Sequence, residues 1–380
     1  MSSADRSADD SGGLLERVAG YLLNATVLER IGIAVGATAF AIGIGLIIVA
    51  LAGYNPVRFA TQMVVGAFGS ERAIARTLRF STLFILAGLA VAVAFRAGVF
   101  NIGVQGQLVV GGFACVMSIV WSAPYLPGGV LGGVLLIGIG ILSALVAGGL
   151  YGALPGVLKA YAGANEIITT IMLNFIAIGV VGWLVNGPVR GEDARSVRTE
   201  QLPDYVSFPQ IVFSDSSFSI IGLGIAILTV IGVAFVFTRT RYGYDMVTSG
   251  YQATAARFSG VDSERTIVAT MTFSGMVAGL VGAIFAIMIQ GSFTDPAGIG
   301  NYGFDGIAVS LLAANNPIGV IPAGILFGGL ESAGSHIQIR SDVPVQLING
   351  IIGLVVLFVA VPELFRMIGA RMGLGGGSDE

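Results

Sequence analysis

The chain has 380 residues, 55% of them hydrophobic and 11% charged, with a mean hydropathy of +0.88 and a net charge of −3. A soluble domain cannot hide that much apolar surface, so the composition excludes a soluble globular protein and leaves a polytopic, all-α integral membrane protein. The acidic balance offers nothing to nucleic acid, and the single cysteine, Cys115, excludes an internal disulfide.

Residues 1–30 open with MSSADRSADDSGG, which lacks the basic and apolar regions of a cleaved signal peptide and reads as a polar cytoplasmic tail. Apolar runs of suitable length then predict ten spans: Ile31–Gly53, Thr77–Phe95, Leu108–Trp121, Gly129–Leu150, Glu166–Val185, Phe218–Phe237, Thr266–Ile289, Phe304–Ala314, Ile318–Ser332 and Val345–Val361. Residues 31–361 thus form one transmembrane domain, followed by a flexible cytoplasmic tail at 362–380. Leu108–Trp121 and Phe304–Ala314 are short. Short or broken spans survive only where protein or water covers their free backbone groups, so these two are assigned to the bundle interior. An even number of spans puts both termini on one side. With that side cytoplasmic, inner segments carry eleven of the Lys and Arg residues and outer segments eight. The 57 glycines are interleaved with Leu, Ile, Val and Ala, as in membrane helices that pack closely through small residues.

Two outer connections are long. In Tyr54–Arg76 the spacing of Phe59, Met63, Val64 and Phe68 predicts an interfacial helix. Residues 186–217 are polar and hold Pro188, Pro203 and Pro209; they form an extracytoplasmic segment, either capping the outer mouth or solvated, with the solvated loop preferred.

Polar groups inside such a chain are costly, so each requires a reason. The stretch GVFNIGVQGQ, Gly98 to Gln107, sets Asn101, Gln105 and Gln107 between two apolar runs. These amides either hold a tight reversal or line a polar path. In GANEIITTIMLNF, Asn165 and Glu166 suit a helix N-cap and a first-turn acid, with gating or partner contact as the alternative. Asn174 shares a face with Thr170 and is placed either in interhelical hydrogen bonding or in solute contact. A third cluster, GIGNYGFDGIAV, carries Asn301 and Asp305. Asn101–Gly106 and Asn301–Gly306 both read N-x-G-x-polar-G and both open a short span. They stand five spans apart, at the inner and outer ends of the bundle respectively, the pattern of an inverted repeat whose short helices meet near a solute path.

Residues 239–265 are the most charged internal segment. Within them, Gln252–Ser259 favours a helix bounded by Gly250 and Gly260, with Ala253, Ala255 and Ala256 exposed; it reads either as a docking element or as an ordinary cytoplasmic loop. No G-x-x-x-x-G-K-[ST] stretch is present, and the single histidine, His336, leaves no catalytic triad or metal motif. The chain is therefore expected to be no enzyme, with no cofactor, and any energy source is a separate chain.

Taken together, FRAGVFNIGVQGQLVVGGF, GANEIITTIMLNFIA, GYDMVTSGYQATAARFSGVD and FDGIAVSLLAANNPIGVIPAGILFGGLESAG resemble the permease subunits of ABC importers for simple sugars and branched-chain amino acids, and most of all their nucleoside branch. The resemblance runs from about Ile31 to Val361. It departs from the family at Gln105, where an acidic residue is usual, which removes a charge from the motif. It implies a lipid-embedded pathway for a neutral solute such as a nucleoside or a simple sugar. It also implies a second, related permease chain, two ATP-binding cassette ATPase subunits and an extracytoplasmic substrate-binding protein. Gly243–Gly260 would be the coupling helix, with Gly243, Gly250, Ala255, Ala256, Arg257 and Gly260 facing the ATPase.

Overall fold

A computed structural model describes residues 27–192, 196–213, 216–251, 256, 258, 260–296, 299–340, 343–344, 346–355 and 357–358. The described chain is helical: α1 (Val27–Leu51), α2 (Pro56–Phe68), α3 (Glu71–Arg96), α4 (Val104–Ser122), α5 (Gly129–Ala162), α6 (Glu166–Asn186), α7 (Ile220–Arg239), α8 (Arg241–Tyr251), α9 (Ser263–Phe285), α10 (Tyr302–Leu312), α11 (Val320–Arg340) and α12 (Gln346–Val355). Among the described residues there is no β-strand, only an isolated bridge between Arg198 and Thr294. Among the described residues, six helices are long and apolar enough to cross a membrane: α3, α4, α5, α6, α7, and α9 with the π turn Ala286–Gln290 that extends it. α10 has 11 residues, about 16 Å of helix and roughly half a bilayer core.

The chain divides into two compact units. One comprises the described parts of residues 1–64 and 334–380. Its core joins Val49, Phe59, Ile337, Val343, Ile348 and Ile351, and His336 Nε2 is 2.8 Å from Gln62 Oε1. The other, Val65–Ala333, holds the polar stretches. Its centre is α3, whose residues Phe80 to Ala94 are all buried. Ser70 caps α3 by accepting from the Ala73 N–H at 3.2 Å. Six residues before the expected start at Thr77, the helix therefore already includes Arg72 and Arg76. Arg76 donates hydrogen bonds to Ser332 Oγ (2.9 Å) and the Gly66 carbonyl (3.2 Å).

α4, α5 and α9 meet backbone to backbone. A methyl built on Gly279 would lie 2.1 Å from the Ala144 carbonyl oxygen, and one on Gly148 would lie 2.4 Å from the Gly275 oxygen. Helices approach this closely only where side chains are absent, which is how membrane helices gain packing without a hydrophobic drive. Two more expected boundaries move. α4 begins at Val104 rather than Leu108, so with its terminal turn it is a full 22-residue span rather than a short one. α5 passes through Pro155 to end at Gly163, whose φ of +65° suits a glycine cap. Lys159 therefore lies on a helix and not in a connection.

The segment after α6 is also more ordered than a solvated loop. The Thr199 N–H donates to the Phe293 carbonyl (2.9 Å), the Leu202 N–H to the Gly291 carbonyl (2.7 Å), and Leu202, Val206 and Phe208 are buried. This segment lies against 291–295, just before the cluster around Asn301.

Candidate functional site

The GVFNIGVQGQ stretch folds as a tight connection between α3 and α4. Gly98 opens it at φ +69°, a conformation that a side chain disfavours. All three amides that follow are buried: Asn101 at 0%, Gln105 at 2% and Gln107 at 1% exposure. Asn101 Nδ2 donates to Gln107 Oε1 (2.9 Å) and to Ser274 Oγ on α9 (2.8 Å). Asn101 Oδ1 accepts from Gln107 Nε2 (3.1 Å) and from the Gly103 N–H (3.0 Å). Ser274 passes the chain on by donating to the Ala90 carbonyl of α3 at 2.6 Å. Such a network stabilises the fold only when every member is satisfied, and these members are.

Helix starts expose N–H groups that have no partner within the helix. At α4, that need is met from another helix: Asn174 Oδ1 on α6 accepts from the Gly106 N–H at 2.7 Å, and Asn174 Nδ2 donates to the Ile102 carbonyl at 2.9 Å. Gln105 does the same for α10. Its Oε1 accepts from the Gly303 N–H (2.8 Å) while its Nε2 donates to the Gly300 carbonyl (2.9 Å). Gly303 sits directly on the Gln105 backbone, where an added methyl would be 2.3 Å from the Gln105 nitrogen. The two N-x-G-x-polar-G stretches, expected at opposite ends of the bundle, are thus in hydrogen-bond contact, at one level of the structure.

Asn165 caps α6, accepting from the Ile167 and Ile168 N–H groups at 2.9 and 3.2 Å. Glu166 pairs with Lys159 across the turn from α5. Asn301 and Asp305 differ from these six residues. Asn301 is exposed, and neither its amide nor the Asp305 carboxylate makes a hydrogen bond among the described residues. Of the candidates read in the sequence, Asn101, Gln105, Gln107 and Asn174 converge on one buried junction. Asn165 and Glu166 close the adjacent α5–α6 turn, and Asn301 and Asp305 are left with open polar atoms. Ser274, which completes the junction, lies unmarked in an apolar run and carried no sequence signal.

The charged segment opens with α8, Arg241–Tyr251, which runs through Gly250. Of the helix expected over Gln252–Ser259, positions 256 and 258 are described and helical, and the rest lies outside the described residues. Gly250 packs on the turn below α3, where an added methyl would be 2.4 Å from the Ala97 carbonyl carbon and 2.7 Å from the Gly98 nitrogen. Gly243 is likewise pressed against Val236 and Phe237. Ala256 is buried, not exposed; the exposed side chain there is Phe258, at 91%. Gly260 ends the segment at φ +82°. Ala253, Ala255 and Arg257 lie outside the described residues.

A bundle of long apolar helices around a satisfied amide junction defines a multi-pass membrane protein. Residues 73–360 match the model of the family described as the branched-chain amino acid transport system / permease component, and the chain belongs to that family. It is 31% identical to the guanosine ABC transporter permease protein NupP of Bacillus subtilis, over 86% of this chain and 92% of that one. It is 31% identical to the nucleoside ABC transporter permease protein NupB of Lactococcus lactis, over 87% and 91%. It is 32% identical to a glucose ABC transporter permease of Haloferax volcanii, over 86% of each chain. No solved structure matches.

Proposed function

We propose that this chain is the permease subunit of an ABC importer and forms the membrane pathway for a nucleoside. A separate ATPase powers it, an extracytoplasmic binding protein delivers the solute, and a second, related permease chain completes the pathway. The observation that carries this reading is similarity along almost the whole chain to two permeases named for guanosine and nucleosides. The glucose permease, at equal identity, favours a simple sugar as the second reading. Uptake of labelled nucleosides, pentoses and hexoses by cells with and without the gene tests both. Loss of hexose uptake alone on deletion would select the sugar.

In this reading both termini are cytoplasmic, residues 186–217 face outward, and the two matched motifs are halves of an inverted repeat that meet through Gln105. Because the other amides are engaged within the protein, Asn301 and Asp305 are the polar groups left to face solute. Residues 239–265 dock the ATPase, with Phe258 as an anchor that the sequence did not single out. The contact of Gly250 with Gly98 then joins the docking segment to the amide junction. The Cβ of Gly250→Leu meets only backbone, so α8 must shift off the Ala97–Gly98 turn; uptake per mole of folded, ATPase-bound transporter is expected to fall about tenfold or more. Uptake within about twofold of wild type would overturn this coupling role.

A further inference from the structure

Four polar side chains outside the amide junction come together where α3, α10 and α11 meet. α3 is gripped on both sides at this level: Gly306 of α10 lies on the Ala87 backbone and Gly328 of α11 on Ser81. Tyr302, the first residue of α10, is 9% exposed, and its ring packs against Phe84 (5.5 Å), Phe285 (5.8 Å) and Phe80 (6.5 Å). Its hydroxyl has no hydrogen-bond partner among the described residues. Asp305 stands three residues after Tyr302 on α10, and Glu331 precedes Ser332 on α11, whose Oγ accepts from Arg76 Nε at 2.9 Å, one turn before Arg79. The Arg79 guanidinium lies 4.7 Å from the centre of the Phe80 ring, and its buried Nε has no partner. Neither acid forms an ion pair or a hydrogen bond through its carboxylate among the described residues.

Ionisable groups in an apolar bundle are costly unless they face a cavity or each other, and a nearly buried phenol normally finds a partner. Here two carboxyl groups stand beside a phenol and a guanidinium with a free donor. The ligand that satisfies this set presents O–H donors to the acids and an acceptor oxygen to the arginine. Two acids against one guanidinium leave no excess positive charge, which disfavours phosphate esters.

We propose that Tyr302, Asp305, Glu331 and Arg79 form a contact site for the vicinal diol of a neutral sugar-bearing solute, such as a ribosyl group. The proposal rests on the importer reading and adds to it the part of the solute that is recognised. The test uses the permease–ATPase complex in nanodiscs without the binding protein, so that discrimination by the delivery protein does not enter. Saturation-transfer NMR compares adenosine with 2′,3′-dideoxyadenosine. Wild type is expected to bind adenosine about tenfold more tightly, and Asp305→Asn and Glu331→Gln to reduce that preference to about threefold or less. Tyr302→Phe keeps the ring and carries the test if an acid variant fails to assemble. A preference unchanged in assembled variants overturns the site while leaving the importer reading intact, provided that the complete wild-type system takes up adenosine. Wild type that imports neither nucleoside nor hexose overturns both.

Discussion

Gln105→Glu is expected to destabilise the protein by about 3 kcal/mol or more, although it changes one atom of an amide. Gln105 uses both ends of its side chain: the oxygen accepts from the Gly303 N–H and the nitrogen donates to the Gly300 carbonyl. A carboxylate retains the first bond and turns the second into two acceptors facing each other. At 2% exposure it also places a charge in a buried position. Only a protonated acid could make both bonds. Folded yield after detergent extraction, followed by thermal unfolding, measures the effect. Gln105→Met, which removes both bonds without adding charge, should lie between wild type and the acid. Equal stability of Gln105→Glu and wild type would show that the α4–α10 contact does not depend on this amide.

Gly279→Val should abolish the folded state. The Cβ alone would stand 2.1 Å from the Ala144 carbonyl oxygen, and Gly111 presses on the same residue from α4, its own added methyl lying 2.4 Å from the Gly279 Cα. The clash of the Gly279 Cβ is with α5 backbone, so no side-chain rotation relieves it and α5 would have to move off α9. Overpacking a tight core typically costs about 1–3 kcal/mol, and a clash with backbone belongs above that range. Gly138→Ala on α5 serves as the control. Nothing lies within 4 Å of its added methyl, and replacing a helical glycine by alanine favours the helix by about 1 kcal/mol. Protein recovered by size-exclusion chromatography should be near zero for Gly279→Val and at least normal for Gly138→Ala.

Hydropathy found helices but misjudged several of their ends, and for α4 and α5 the reason is the same. The residues before Leu108 look like a connection because Gln105 and Gln107 count as polar. In the structure their polar atoms are spent on neighbouring backbone and side chains, and the helix runs through them from Val104. α5 likewise outlasts its apolar run because Pro155 and Lys159 read as an exit, whereas Lys159 is held by Glu166. A transfer scale scores a residue by its chemistry and knows nothing of its partner. The Asn165 cap was legible because capping is local, with donors two and three residues away. The partnership of Asn101 with Ser274 joins residues 173 apart, and the cluster around Tyr302 draws on three helices. No spacing rule brings such residues together; only the packing of α3 against its neighbours does. Ala256 was misread by the same limitation, since a small residue in a charged segment carries no sign of which way it faces.

Cys115 closes with a practical consequence. It is the chain's one thiol, fully buried, and Gly140 of α5 packs against its sulfur. To a water-borne maleimide the native protein is therefore already blank, and no cysteine needs removing before a new one is introduced. A cysteine at Phe258 and another at Ile211, both positions largely exposed, would each report the side of the bilayer on which it lies. The packing that hides one sulfur thus makes the sidedness of the whole chain a matter of which reagent-accessible position reacts in intact cells.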